Sequence, residues 1–129
     1  MITLSGNKEL SRRLDKIGKH DFDKTIRNTS GFVIKETKGG FASQKAPSGR
    51  SWPKRTQSRP WPLLDRTGRL KSSFKAREST GKATIYSNNR IFKFHQLGTR
   101  NLPARVMLAV NDQMVRYSQR GLKREAGGL

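Results

Sequence analysis

The segment that decides the fold reads PLLDRTGRLKSSF and spans residues 62–74. Immediately before it, from residue 38 onward, the chain is rich in proline, glycine and charge. After it, the apolar residues fall into regular patterns. Asp65 can accept hydrogen bonds from backbone amides two or three residues later, either as a turn residue or as a helix cap. Gly68 supplies backbone freedom, and Leu70 and Phe74 would share one face of a short helix. The segment therefore predicts a turn that leads into a short element.

A β-hairpin is predicted directly after this turn. Residues 74–78 and 82–87 have the composition of short strands, and residues 79–81 are a hairpin connection. Side chains alternate between the two sides of a strand. The second strand would therefore place Ala83 and Ile85 on one side and Thr84 and Tyr86 on the other.

The chain before the turn divides into a helical region and a loop. Apolar residues spaced as Leu10, Leu14 and Ile17 predict a helix, and the apolar pattern continues to residue 37 with some drift. A single long helix over residues 7–37 is one reading, and two helices broken near residues 18–21 are the other. Residues 38–62 lose the periodicity, which predicts a long basic loop that is either functional or disordered.

The C-terminal third predicts further elements. Residues 91–97 are apolar and aromatic and form either a helical turn or a strand. Alternation of Val106, Leu108 and Val110 predicts a strand that pairs with the hairpin. Asn111 is a candidate cap for a C-terminal helix over residues 111–124. We therefore expect one α+β domain over residues 1–129: a long N-terminal helix, broken or continuous, a long basic loop, a turn and small antiparallel β-sheet over residues 63–110, and a C-terminal helix.

Charge is the dominant feature of the composition. The net charge is +19, from 28 lysines and arginines against 9 acids, and only 32% of the residues are apolar. From Lys38 to Arg77 there are eleven basic residues against one acid, Asp65. A surface of this kind attracts anions, whether nucleic acid, acidic protein surfaces or anionic membranes. The small apolar share predicts a thin core, with part of the stability coming from neighbouring subunits.

The composition also excludes several classes of site. The chain has no cysteine, which excludes disulfides, thiolate metal sites and cysteine nucleophiles. No apolar run is long enough for a signal peptide or a transmembrane helix, so we expect a soluble protein made in the cytoplasm. Two histidines and a few aspartates without ligand spacing do not indicate a metal site, and no cofactor motif is present.

Five short motifs, in a fixed order between residues 41 and 115, resemble the phage virion morphogenesis (tail completion) family of tailed bacteriophages. They are Pro-x-Gly-x-x-Trp at residues 47–52, Leu-x-x-Thr-Gly-x-Leu-x-x-Ser at 64–73, a strand with a small polar end at 85–88, aromatic-x-x-His-Gln-x-Gly at 92–98, which contains His95 and Gln96, and Pro-Ala-Arg at 103–105. The first forty residues share only their helical character with the family.

The resemblance implies a structural virion component without enzymatic activity that acts at the head–tail neck. Relatives complete the tail so that it can join the DNA-filled head, and related proteins form rings, often of six subunits. The implied partners are other copies of the chain, tail-terminator, connector or portal-proximal proteins, and packaged DNA. The implied location is the virion, after synthesis in the cytoplasm of the host bacterium, with no membrane partner.

Two sets of residues are singled out. The first has structural roles in turns and motifs, and His95 within it is interpreted as a hydrogen-bonding turn residue because no nucleophile motif accompanies it. The second would contact partner proteins or DNA, and at least one of its tryptophans should pack on the core or on another subunit. The first set is Asp65, Thr67, Gly68, Leu70, His95, Gln96, Gly98, Pro103 and Arg105; the second is Lys45, Arg50, Trp52, Lys54, Arg55, Arg59 and Trp61.

Two other functions compete with virion assembly. A basic nucleic-acid-binding module would use the cationic surface, with tryptophans stacking on bases. An enzyme would need a carboxylate cluster or a set of metal ligands, and the sequence contains neither pattern. Binding of DNA that persists at physiological salt would favour the nucleic-acid-binding module over virion assembly.

Overall fold

A computed structural model describes residues 8–79 and 82–128. Helix α1 spans Lys8–Lys19 and α2 spans Asp23–Ser43. A 3-10 turn at Lys71–Ser73 leads into strands β1 (Phe74–Ser79) and β2 (Lys82–Ser87), followed by helices α3 (Phe92–Leu97) and α4 (Asp112–Gly127). The architecture is α+β, with a two-stranded antiparallel sheet and a C-terminal helix. Residues 80 and 81 of the predicted hairpin connection lie outside the described residues.

The N-terminal region consists of two helices instead of one long helix. Residues 20–22 separate α1 from α2, close to the break that the glycine at position 18 suggested. The second helix continues to Ser43, six residues beyond the predicted end. It tolerates three internal glycines because Val33, Thr37 and Phe41 are buried at i, i+4 and i+8 along one face. Burial of that face offsets a cost of about 1 kcal/mol per glycine.

The predicted loop over residues 38–62 is therefore partly ordered structure. Residues 38–43 belong to α2, and residues 44–52 form a tight turn closed by an antiparallel bridge between Lys45 and Ser51. The amide of Ala46 donates to the carbonyl of Arg50 (2.8 Å), and the amide of Trp52 donates to the carbonyl of Gln44 (2.8 Å). The irregular segment begins only after Trp52.

Helix α2 is the central element, since α4 packs on it and both strands contact it. The ring of Phe32 stacks on that of Tyr117 with centroids 4.3 Å apart. Gly121 of α4 lies so close to α2 that a Cβ there would come within 2.9 Å of the Thr25 methyl group. The main core forms at the C-terminal end of α2. It consists of Phe41, Trp52, Leu63, Leu70, Phe74 and Met107.

The β-hairpin is antiparallel as predicted, with Phe74 opposite Ser87 and Ala76 opposite Ile85. Leu70 and Phe74 are both buried, although a 3-10 turn and a strand start replace the predicted short helix. The prediction of a third strand over residues 106–110 is wrong. That segment has no strand partner among the described residues, because side chains take its backbone hydrogen bonds.

Candidate functional site

Trp52 joins the Pro-x-Gly-x-x-Trp turn to the segment after Pro-Ala-Arg. Its indole Nε1 donates to the carbonyl of Val106 (2.8 Å), and its ring meets Phe41 edge-on with centroids 5.5 Å apart. Only 5% of the residue is exposed. The expectation that one tryptophan packs on the core is met by Trp52, and this burial leaves it unable to stack on a base.

Gln96 binds the same segment from the other side. Its Nε2 donates to the carbonyl of Leu108 (2.7 Å), and its Oε1 accepts from the amides of Met107 (2.9 Å) and Leu108 (3.2 Å). A glutamine side chain carries the same donor and acceptor groups as a peptide unit. Gln96 therefore replaces a neighbouring strand, which explains why residues 106–110 are not part of a sheet.

Arg105 is a further point of contact between the motifs. It is 5% exposed, its Nε donates to the carbonyl of Pro53 (2.8 Å), and its amide donates to the carbonyl of His95 (2.7 Å). Burial, and next the positive charge of Arg55, lowers the pKa of Arg105. Among the described residues no carboxylate forms an ion pair with it.

His95 is half-buried beside Arg105. Burial, followed by the charge of Arg105, lowers the pKa of His95, so its imidazole is neutral at physiological pH. Its Nδ1 is buried without a hydrogen-bond partner in the described part of the chain. The predicted hydrogen-bonding role of His95 is therefore found for its backbone carbonyl, which accepts from the amide of Arg105, and not for the Nδ1 of its imidazole.

Gly98 and Asn111 complete the junction of the motifs. Gly98 has a φ of +76°. A Cβ at Gly98 would lie 2.8 Å from the amide nitrogen of Ala104, the residue that follows Pro103. Asn111 caps α4 as predicted, by accepting from the amide of Met114 (2.9 Å), and its Nδ2 donates to the carbonyl of Pro47 (3.0 Å). Three motifs that are distant in sequence thus meet through hydrogen bonds, and we call this region the motif junction. The motifs are the turn at residues 47–52, the His-Gln-x-Gly group at 95–98 and Pro-Ala-Arg at 103–105.

The Thr-Gly motif forms a separate turn. The amide and the hydroxyl of Ser72 both donate to the carbonyl of Gly68, at 3.0 and 2.7 Å, and Gly68 has a φ of +76°. The hydroxyl of Thr67 accepts from the amide of Arg69 at 3.4 Å. The predicted capping bond to the carboxylate of Asp65 is not formed among the described residues. The turn is held by Ser72, while Leu70 anchors it in the core.

Trp61 organises the irregular segment that follows Trp52. The guanidinium of Arg55 donates to the carbonyl of Trp61, and the guanidinium of Arg66 lies 4.5 Å from the centroid of the Trp61 ring. Arg59 approaches the same ring at 6.0 Å. Trp61 and Arg55 are half-buried, and the other predicted contact residues of this region are exposed: Lys45, Arg50, Lys54 and Arg59.

Apolar side chains remain exposed on several elements. Leu97 of α3 is 78% exposed and Val110, before α4, is 77% exposed. Leu14 and Ile17 of α1 also face solvent, so the apolar side of that helix is not covered at these positions. Val110 lines a groove of about 820 Å³ between α2, the turn at residues 46–49 and the start of α4. These positions leave apolar surface available to a partner.

Charge is unevenly distributed along the chain. Residues 38–109 contain sixteen lysines and arginines but only two acids, Asp65 and Glu78, whereas the remainder has twelve basic and seven acidic residues. The helices α1 and α4 thus belong to the more balanced part of the sequence. Within residues 8–79 and 82–128 no group of three histidine, aspartate or glutamate side chains is placed to hold a metal ion.

Sequence reasoning missed one tertiary contact. Glu125 accepts hydrogen bonds from the hydroxyl of Thr25 and from its amide (3.2 Å), and it lies 2.8 Å from Nε2 of His20. No sequence signal pairs residues 100 positions apart. The only local hint is that α2 starts without a side-chain cap of its own at Phe22.

Comparison with known proteins agrees with the motifs. A model of the phage virion morphogenesis family matches residues 6–123 of this chain. No curated protein and no solved structure matches it. In the described part of the chain, no helix has the length and apolar character needed to cross a membrane. Since the match covers nearly the whole sequence, this chain belongs to the phage virion morphogenesis family.

Proposed function

We propose that this protein is a tail completion or head–tail connector component that acts by associating with copies of itself and with neighbouring neck proteins, without enzymatic activity. Membership of the family supports a role in virion assembly and a virion location. The observation that favours association is the apolar surface left exposed on α1, α3 and before α4. A helix of 12 residues is only marginally stable by itself in water, so α1 gains most from being covered.

The geometry of the motifs supports a structural role. Trp52, Gln96 and Arg105 direct their polar groups to backbone atoms of the same chain. These hydrogen bonds hold three segments together. In this proposal the motifs fix the fold, and the residues that face partners are the exposed ones around them.

Light scattering of nuclease-treated protein at about 0.15 M salt, the physiological ionic strength, measures the oligomeric state and tests the proposal. We expect a discrete ring-sized oligomer, or a monomer that becomes one only with tail components. Leu97→Glu or Ile17→Glu should prevent association, because a carboxylate would be buried at the contact. Gln119→Glu adds the same charge at an exposed position of α4 and should associate normally. A monomer in every mixture would contradict the proposal.

A second candidate is a basic nucleic-acid-binding module, which the charge of residues 38–109 favours. It predicts a stable monomer that binds DNA at physiological salt. Any chain with a net charge of +19 binds DNA at low salt, so only a stable monomer that still binds DNA at physiological salt supports this function over assembly.

A further inference from the structure

The β-hairpin has two faces of different character. Ala76 lies opposite Ile85 in the register, and Glu78 on the same side lies 3.6 Å from Arg27 of α2. Since both strands contact α2, this is the inner face. Side chains alternate along each strand, so the intervening residues point away from α2. The outer face pairs Lys75 with Tyr86, Arg77 with Thr84 and Ser79 with Lys82.

The outer face contains cations and hydroxyl groups and no acid. Tyr86 is half-buried, and the other members of the face are exposed. The guanidinium of Arg77 lies 5.7 Å from the centroid of the Tyr86 ring, within the range of a cation–π contact. Lysine, arginine, serine, threonine and tyrosine are side chains that proteins use to contact phosphate and sugar groups.

An acidic protein is a poorer fit to this face. Protein interfaces have a fully buried centre that is apolar or aromatic and depleted of charge. Here the exposed residues are all polar or charged, and the aromatic ring of Tyr86 is partly covered. A contact with phosphates has no need of an apolar centre, because it depends on cations and on counterion release.

The face also favours a duplex over a single strand. Proteins that bind single strands present free aromatic rings on which bases stack. Tyr86 has Arg77 over its ring, and Trp52 is buried. Along an antiparallel strand, residues on one face repeat every ~6.8 Å, so Lys75 and Arg77 present two charges in a row to a regular phosphate backbone. Because α2 covers the inner face, the hairpin would contact the phosphate backbone of the DNA with its outer face.

We propose that the outer face of the β1–β2 hairpin, formed by Lys75, Arg77, Ser79, Lys82, Thr84 and Tyr86, binds the phosphate backbone of double-stranded DNA without reading its sequence. This site is separate from the motif junction and from the exposed apolar residues. A monomeric nucleic-acid-binding module and an assembled ring next to packaged DNA would both use this face, so the oligomeric state, and not DNA binding alone, distinguishes the two functions above.

The test compares two triple variants of equal charge change. Lys75→Gln, Arg77→Gln and Lys82→Gln together neutralise the hairpin face, while Arg116→Gln, Arg120→Gln and Lys123→Gln together neutralise exposed positions of α4. Binding to a duplex of about 20 base pairs is measured by fluorescence anisotropy at several salt concentrations. Loss of three phosphate contacts should reduce the log–log salt slope by about 2.7 and the affinity about 100-fold at about 0.15 M salt. The α4 variant should retain its affinity within about 5-fold and nearly the whole slope.

Several results would overturn the proposal. Equal losses in both triple variants would mean that binding reflects net charge alone. Preference for a single strand of the same length, or competition by polyglutamate as effective as that by duplex DNA, would point to a different ligand. Light scattering on the hairpin variant should show unchanged association, so failure of DNA binding is distinguishable from failure of assembly. If the triple variant does not fold by circular dichroism, Arg77→Gln alone should lower the slope by about 0.9.

Discussion

Glu125, in the last turns of α4, accepts a hydrogen bond from the backbone amide of Thr25 in the first turn of α2 at 3.2 Å. It also accepts from the Thr25 hydroxyl. The carboxylate thus supplies the N-terminal cap that Phe22 cannot provide, at the end of α2 where the helix dipole favours negative charge. The contact connects the end of the chain to the start of the central helix, and His20 brings α1 to the same point.

This contact predicts a dependence of stability on pH. The hydrogen bonds from Thr25, and next that from His20, lower the pKa of Glu125 in the folded state. A lowered pKa contributes stability above the unfolded pKa, and this contribution is lost as the pH falls through the folded pKa. The melting temperature should therefore fall at acid pH, and Glu125→Gln should reduce that fall while lowering the melting temperature at neutral pH.

Asp21 has to be controlled in the same experiment, since its pKa is shifted upward, first by a hydrogen bond with Asp23. A raised carboxyl pKa has the opposite sign: its contribution to stability is fully present below the unfolded pKa and is lost as the pH rises through the folded pKa. Thermal melts of Glu125→Gln are therefore compared with the parent in an Asp21→Asn background. Identical acid limbs in the two proteins would show that Glu125 does not contribute.

Gln96 is expected to be the most sensitive polar residue of the motif junction. Gln96→Leu removes the side-chain amide and leaves the amides of Met107 and Leu108 and the carbonyl of Leu108 without their partner. Each buried group left unpaired costs about 1–3 kcal/mol, and because all three hydrogen bonds are only partly buried we expect a total loss near the lower end of the sum, about 3–4 kcal/mol in the free energy of unfolding. Urea denaturation measures it, with the exposed Gln119→Leu as the matched control. A loss as small as that of the control would show that water replaces the Gln96 amide.

Two glycine substitutions should have opposite effects on stability. Gly98→Ala forces a Cβ to within 2.8 Å of the Ala104 nitrogen at a φ of +76° and should cost about 1–3 kcal/mol. Gly31 lies inside α2, where an added methyl group would meet nothing within 4 Å, so Gly31→Ala should stabilise by about 0.5–1 kcal/mol. Denaturant midpoints of the two variants measure both effects. Stabilisation by Gly98→Ala would be incompatible with the described turn.

Limited proteolysis should separate the ordered part of the predicted loop from the irregular part. Trypsin should cleave the free protein after Lys54, which is exposed in the irregular segment. Cleavage after Lys45 should be slower, because residues 44–52 are fixed by backbone hydrogen bonds and by burial of Trp52. Under the assembly proposal, cleavage after Lys54 should slow once the protein associates. Equal rates in the free and assembled states would exclude this segment from the contact.

Local pattern was sufficient for the elements whose sequence signal is local. The amphipathic spacing of α1, the β-hairpin and the cap of α4 by Asn111 were all predicted. The strand prediction at residues 106–110 failed because alternation of apolar residues reports burial of alternate side chains and says nothing about what satisfies the backbone. Here the side chains of Trp52 and Gln96 satisfy it.

The sequence by itself determined the net charge of +19, the order of the five motifs and the membership of the family that follows from them. Only the tertiary structure decided that Trp52 is buried while Trp61 is half-buried, that Arg105 donates to Pro53, and that Glu125 caps a helix 100 residues earlier. The physical reason is that composition and local spacing are properties of the chain. Burial and hydrogen-bond partners depend instead on which distant segments come together. In this protein, long-range side-chain hydrogen bonds of Trp52, Arg105 and Glu125 join such segments.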